Sequence, residues 1–123
     1  MRLLIDTHIL VWIVLNDRRL SGPQRSALGD PENVIVVSPV IAYELTQLQA
    51  TKRIPLNEPV DRLQELVGFE TSDLPFDAWQ KIFELPDIHR DPIDRMLVAH
   101  ALTAGMTLVT ADSKIRRYPV PCI

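Results

Sequence analysis

Short apolar runs that alternate with helical segments constrain this 123-residue chain more than any other feature. Residues 2–6 (RLLID) fit a buried strand ending at Asp6, and a helical pattern then covers Thr7 to Leu15 and closes at Asn16-Asp17. VIVV at residues 34–37 is a run of β-branched side chains, the clearest strand in the chain. Ser38-Pro39 follows at once as the cap and first-turn proline of a helix predicted to reach about Lys52. Residues 21–29 predict a short helix with a Ser/Gly/Pro start and a Gly stop, and residues 59–67 and 76–85 are further helical stretches around a strand at Phe69 to Asp73. Asp91-Pro92 opens a strong helix ending at Gly105, MTLVT at 106–110 is another strand, and the C-terminal VPCI is a last short one. This alternation argues for an α/β fold, with a parallel sheet covered by helices on both faces. With no repeat, linker or low-complexity tract, residues 1–123 read as one domain.

Composition narrows the function classes. An apolar share of 46% supports one core and excludes a disordered chain, a collagen or a disulfide scaffold. A single Cys122 forms neither an internal disulfide nor a metal framework, which points to a reducing compartment. The uncharged N-terminal stretch from Thr7 to Asn16 is too short for a bilayer, and Asp6 interrupts any signal-peptide core, so the expectation is a soluble cytoplasmic protein without a membrane partner. Phosphate-loop, dinucleotide, zincin and nucleophile-elbow motifs are absent. The histidines (His8, His89, His100) show no metal-ligand spacing. His100 is expected in the core, and Trp12 and Trp79 are expected to fill it too. The 16 acids against 13 bases, a net of −3, argue at face value against a nucleic-acid partner.

The position of the acids meets that objection. In open parallel sheets ligands bind beyond the carboxyl ends of the strands. Asp6 and Asp112 both fall there, although each alone can also cap a helix. Glu44 lies inside the apolar stripe of its helix, between Val40 and Leu48, where a carboxylate must be ion-paired, protonated or bound to a cation. Asp91 is a natural helix cap with Pro92 behind it, whereas Asp94 sits on the edge of the face made by Ile93, Leu97, Val98 and Ala101. Carboxylates gathered in one cleft repel each other, and a hard divalent cation, Mg²⁺ or Mn²⁺, resolves that conflict. Thr7, Ser38 and Thr110 lie beside these acids, able either to orient a carboxylate from behind or to cap a helix.

The chain resembles the PIN domain ribonucleases, and most closely the VapC-type toxins of toxin–antitoxin modules. The resemblance is carried by LLIDTHILVW at 3–12, VSPVIAYEL at 37–45, HRDPIDRMLVAHA at 89–101 and LVTADSKIRRY at 108–118, in the family's order and spacing. It implies a three-layer α/β/α fold around a parallel sheet of four to five strands. It places the catalytic acids at Asp6, Glu44, Asp94 and Asp112, with Asp91 a weaker fifth metal ligand. It also implies a Mg²⁺- or Mn²⁺-dependent endoribonuclease, in which a metal-activated water hydrolyses the phosphodiester to a 5′-phosphate and a 3′-hydroxyl. Family members usually form homodimers and are silenced by a cognate VapB-like antitoxin, through which the complex binds promoter DNA. Two other readings of the same acids stay open here: an aspartate-nucleophile phosphohydrolase using Asp6, and a non-catalytic cation-binding module. Setting the five acids aside leaves 11 acids against 13 bases, ten of them arginines, so the remaining surface is net positive. Arg90, Arg95, Arg116 and Arg117, close in sequence to the acids, are the expected RNA contacts.

Overall fold

The computed structural model describes residues 1–123. Its elements run β1 (Arg2–Ile5), α1 (Thr7–Leu15), α2 (Gly22–Gly29), β2 (Val34–Val37), α3 (Pro39–Ala50), α4 (Val60–Val67), β3 (Glu70–Thr71), α5 (Ala78–Glu84), α6 (Pro92–Ala104) and β4 (Thr107–Val109), with a short 3-10 turn at Ile115–Arg117. The sheet order is β3-β2-β1-β4 and every pairing is parallel. From β1 the chain first moves outward through β2 to β3, then returns to lay β4 on the other side of β1. The strand order therefore reverses between β1 and β4, where an open sheet parts to leave a crevice. Leu3, Leu4 and Ile5 are all fully buried, although successive strand side chains point to opposite faces, so β1 is covered above and below. The 28 buried apolar residues form one cluster around it.

The local signals act as their chemistry requires. Asp6, Ser38 and Asp91 each accept a backbone N–H of the following turn and start α1, α3 and α6, the last two with proline in the first position. Gly105 ends α6 with φ 66°, a left-handed conformation open to glycine without a Cβ penalty. Ser21 and Gln24 close a reciprocal capping box on α2. Gly29, expected as the stop of that helix, instead lies inside it, and Asp30 ends it with an N–H bonded to the Ala27 carbonyl.

The shorter elements depart from expectation at the edges of the sheet. β3 shrinks to Glu70–Thr71 because it pairs only with Val36 and Val37, after which Ser38 turns the chain into α3. The C-terminal strand reduces to one parallel bridge between Leu108 and Cys122, supported by Leu108 N–H to the Pro121 carbonyl at 2.8 Å. Trp79 does not fill the core. The short helix α5 packs on α6 through Ala78 and Ile82, which turns Trp79 and Phe83, one turn apart, outward to 53% and 92% exposure. His100, by contrast, is fully buried and its Nδ1 lies 2.9 Å from Ser38 Oγ. No helix is long and apolar enough to cross a membrane.

Candidate active site

At the reversal point between β1 and β4 a cavity of about 390 Å³ opens, and its wall holds Asp6, Glu44, Asp91, Asp94 and Asp112. Each acid arrives from a different element. Asp6 follows the last residue of β1, Asp112 lies in the loop after β4, Glu44 comes from the middle of α3, and Asp91 and Asp94 come from the start of α6. Parallel strands bring their carboxyl ends to one side of the sheet, which is why residues 106 positions apart in sequence face the same space.

Hydroxyl and backbone donors fix most of these carboxylates. Asp6 Oδ1 accepts the Ile9 N–H at 2.9 Å, and Oδ2 accepts the Thr110 hydroxyl at 2.5 Å. Thr110 Oγ1 in turn accepts the Asp112 N–H at 3.0 Å, so one buried hydroxyl ties both strand-end acids together. Thr7 donates to Glu44 Oε1 at 2.5 Å. Asp112 Oδ1 accepts the N–H groups of Lys114 and Ile115, and its Oδ2 lies 3.0 Å from His89 Nε2. The same His89 nitrogen lies 3.0 Å from Asp94 Oδ2.

The electrostatics follow from these contacts. Burial pushes Asp6 above the usual carboxylate range, an effect that the Thr110 and Ile9 hydrogen bonds only partly offset. Asp94 is pushed up to about 7, first by burial and then by the negative charge of Asp91, Glu44 and Asp112. Burial also acts on Asp112, but there the donors from His89, Lys114 and Ile115 outweigh it and hold the group below its ordinary value. The Asp91 N–H donates to His89 Nδ1 at 3.1 Å, so that nitrogen carries the lone pair and Nε2 carries the proton. His89 is thereby a donor that orients Asp112, although its geometry with Asp94 and Asp112, all within 4.8 Å, is that of a three-residue cation group. What remains facing the cavity is a set of carboxylate oxygens. That donor chemistry fits a hard divalent cation, whose charge would offset the burial that raises Asp6 and the burial and neighbouring carboxylates that raise Asp94.

A family model described as PIN domain matches residues 3–121. The chain belongs to the PIN domain family. A Mycobacterium tuberculosis protein named Ribonuclease VapC22 is 31% identical over 123 residues, spanning 96% of this chain and 94% of that one. Among solved structures, VapBC2 from Rickettsia felis, bound to a DNA fragment from its promoter, superposes with a TM-score of 0.69 at 19% identity and covers 100% of this chain and 98% of its own. VapBC-1 from nontypeable Haemophilus influenzae gives a TM-score of 0.64 at 14% identity, covering 100% of this chain and 97% of its own. At such identities the likeness is one of fold, and the fold is the three-layer α/β/α arrangement of PIN domains with a four-stranded parallel sheet.

Within this PIN domain, the expected acids all reach the cavity, and Asp91 both lines it and caps α6 through Ile93 N–H at 2.8 Å. Thr7 and Thr110 touch carboxylates, whereas Ser38 does not. Its hydroxyl caps Val40 and meets His100, because the residue after β2 is already committed to starting α3. The arginines chosen by sequence proximity do not line the cavity. Arg95 is turned the other way and donates to the carbonyls of Ile82 and Pro86 and to the Tyr118 hydroxyl. Both carbonyls already accept a backbone N–H, from Leu85 and Ile88, so Arg95 adds a second donor to each and ties α6 to the end of α5 and the turn after it. Arg116 reaches the Thr110 carbonyl at 2.7 Å, while Arg90 and Arg117 stay at the exposed surface. Sequence reasoning missed His89 and Arg19. His89 adjoins the acidic segment, a signal that was present but had no recognisable spacing, and Arg19 had none at all.

Proposed function

We propose that this PIN domain protein is a metal-dependent endoribonuclease and the toxin of a toxin–antitoxin pair. The observation that carries the reading is the convergence of Asp6, Glu44, Asp94 and Asp112 on one cavity at the point where the strand order reverses. Those four carboxylates are the cation ligands in this reading, with Asp91 at the rim, and oxygen-only ligation selects Mg²⁺ or Mn²⁺. When bound, such a cation supplies Lewis-acid polarisation of the phosphodiester and of the attacking water. The chain itself holds the ligands still. Thr110 and Ile9 N–H prevent the Asp6 carboxylate from rotating, Thr7 does the same for Glu44, and His89 for Asp112. Asp94 has the least support, and its carboxyl gives up a proton near neutrality when the cation enters.

The name of the Mycobacterium tuberculosis relative and the VapBC complexes that share the fold support both the RNA substrate and a VapB-like antitoxin. Residues 1–123 act as one nuclease domain in the cytoplasm, as a homodimer, and reach promoter DNA only through the antitoxin. The deciding experiment incubates the purified protein with total RNA and either Mg²⁺, Mn²⁺ or EDTA, and maps the new ends. Cleavage that needs the cation and disappears in Asp6→Asn supports the reading. Full activity in EDTA removes the metal mechanism, and a folded, cation-loaded protein that cuts no RNA removes the nuclease. A short reading frame beside this one, whose product copurifies with it and stops cleavage, identifies the antitoxin.

A further inference from the structure

The wall of the cavity that carries no acid is built by α1 and the turn after it, and it presents His8, Trp12 and Arg19. Arg19 is the sole lysine or arginine lining the cavity. Next to this many carboxylates a free arginine would be expected to fold down onto them. It does not, because its guanidinium is already held elsewhere. Nε donates to Asp17 Oδ1 at 3.1 Å and one terminal nitrogen donates to Asp17 Oδ2 at 2.8 Å, a bidentate pair, while the guanidinium carbon lies 4.9 Å from the centre of the Trp12 ring.

Asp17 is itself fixed. It follows Asn16, whose left-handed φ of 50° ends α1, and its Oδ1 also accepts the Arg19 N–H at 2.9 Å. Arg25 bonds Asn16 Oδ1 at 3.0 Å from the next helix, and also the Asp17 carbonyl. The second terminal nitrogen of Arg19 has no partner in the chain, and the side chain is 66% exposed. An exposed local ion pair of this kind adds little stability. What it does is hold a planar cation, one face on an indole, at the mouth of an acidic cavity. Only an edge of Trp12 reaches the cavity, and the exposed His8 ring, 6.3 Å from it and tilted by 54°, extends the same shelf to the surface.

We propose that Arg19, seated on Trp12 and tethered by Asp17, is a clamp for a backbone phosphate of the single-stranded RNA entering the cavity, with His8 beside it as a stacking surface for a base. This rests on the RNA-cleaving reading above and assigns the positive contact that reading lacks. A free arginine loses much rotamer freedom when it grips a phosphate, and the tether removes most of that cost in advance. The acids hold the cation; Arg19 holds the strand.

The test separates binding from cleavage. Full-length Asp6→Asn protein, with and without Arg19→Ala, is titrated with a fluorescein-labelled single-stranded RNA of mixed sequence in Mg²⁺ at several salt concentrations. Loss of one charged phosphate contact is expected to weaken binding roughly tenfold and to lower the salt slope by about 0.7. Asp17→Asn, which frees Arg19 without removing its charge, is expected to weaken binding less and leave the salt slope unchanged. In the otherwise wild-type enzyme, Arg19→Ala is expected to raise KM far more than it lowers kcat. Unchanged affinity and salt slope in Arg19→Ala overturn the clamp even if the wild type cleaves RNA. Arg19-dependent binding by a protein that never cleaves keeps the clamp and overturns the nuclease instead.

Discussion

Asp94, at the start of α6, and Asp112, in the loop after β4, lie the same 3.0 Å from one imidazole nitrogen, yet their carboxyl groups shift in opposite directions. Asp112 also receives two backbone N–H groups of the following turn, which stabilise its charge. Asp94 occupies a first turn whose capping position Asp91 has already taken, and it faces the other acids with no donor of its own beyond His89. Asp112 is therefore an anion already stabilised by its donors, and Asp94 is a carboxylate waiting for positive charge. Desolvation raises both, more strongly at the deeper Asp94, where the neighbouring carboxylates add to it; at Asp112 the donors outweigh it.

The largest test removes each charge in turn. Asp6→Asn, Asp94→Asn and Asp112→Asn should each lower RNA cleavage by roughly a thousandfold, the scale of losing one group that stabilises charge in a hydrolytic site. If Asp94→Asn alone keeps its rate, measured on a fixed RNA with saturating Mg²⁺, the helix side is not a ligand and the comparison breaks. Thr110→Val comes next. It removes the hydroxyl that supports Asp6 and receives the Asp112 N–H, and should weaken cation affinity by about 10- to 100-fold in a calorimetric titration. Thr7→Val, which supports Glu44 only, should cost less.

The stability tests are smaller but sharper. Asp94 has a folded pKa of about 7, above its ordinary 3.8, so the folded state holds the extra proton and the unfolded state does not. Its contribution is fully present below about pH 4 and is lost as pH rises through 7. The cation-free protein should thus become less stable to urea between those limits, a loss that Mn²⁺ reverses at pH 8 and that Asp94→Asn reduces, the raised Asp6 supplying the rest. Asp112→Asn should act oppositely to Asp94→Asn at pH 8. It weakens the acceptor for Lys114 and Ile115 N–H and should cost about 1 kcal/mol, whereas Asp94→Asn should raise the urea midpoint. A shared direction for the two variants would show that the two carboxyl groups do not carry opposite shifts.

Much of this was legible in the residues because the signals are local. A strand that ends in Asp6, a Ser38-Pro39 or Asp91-Pro92 helix start and the placement of Glu44 in an apolar stripe each depend on a few neighbouring positions. The same locality misled where the partner is distant. Trp79 carries no sign that α5 turns it outward, and Arg95 none that the carbonyls ending α5 would claim it. Asp91 was ambiguous between cap and ligand in sequence, and it serves the cap while still lining the cavity.

The sequence alone determined the α/β alternation, the parallel sheet and which acids sit at the ends of strands and on inward helix faces, since hydrophobic period and capping chemistry operate within a turn or two. Long-range packing sets the rest: His89 stands between Asp94 and Asp112, Thr110 links Asp6 to Asp112, and Arg19 rather than an arginine nearer in sequence lines the acidic cavity. Those contacts exist because β4 returns to lie beside β1, and because a left-handed residue at Asn16 swings the next segment back over Trp12. Neither crossing leaves a periodic trace in the residues it joins.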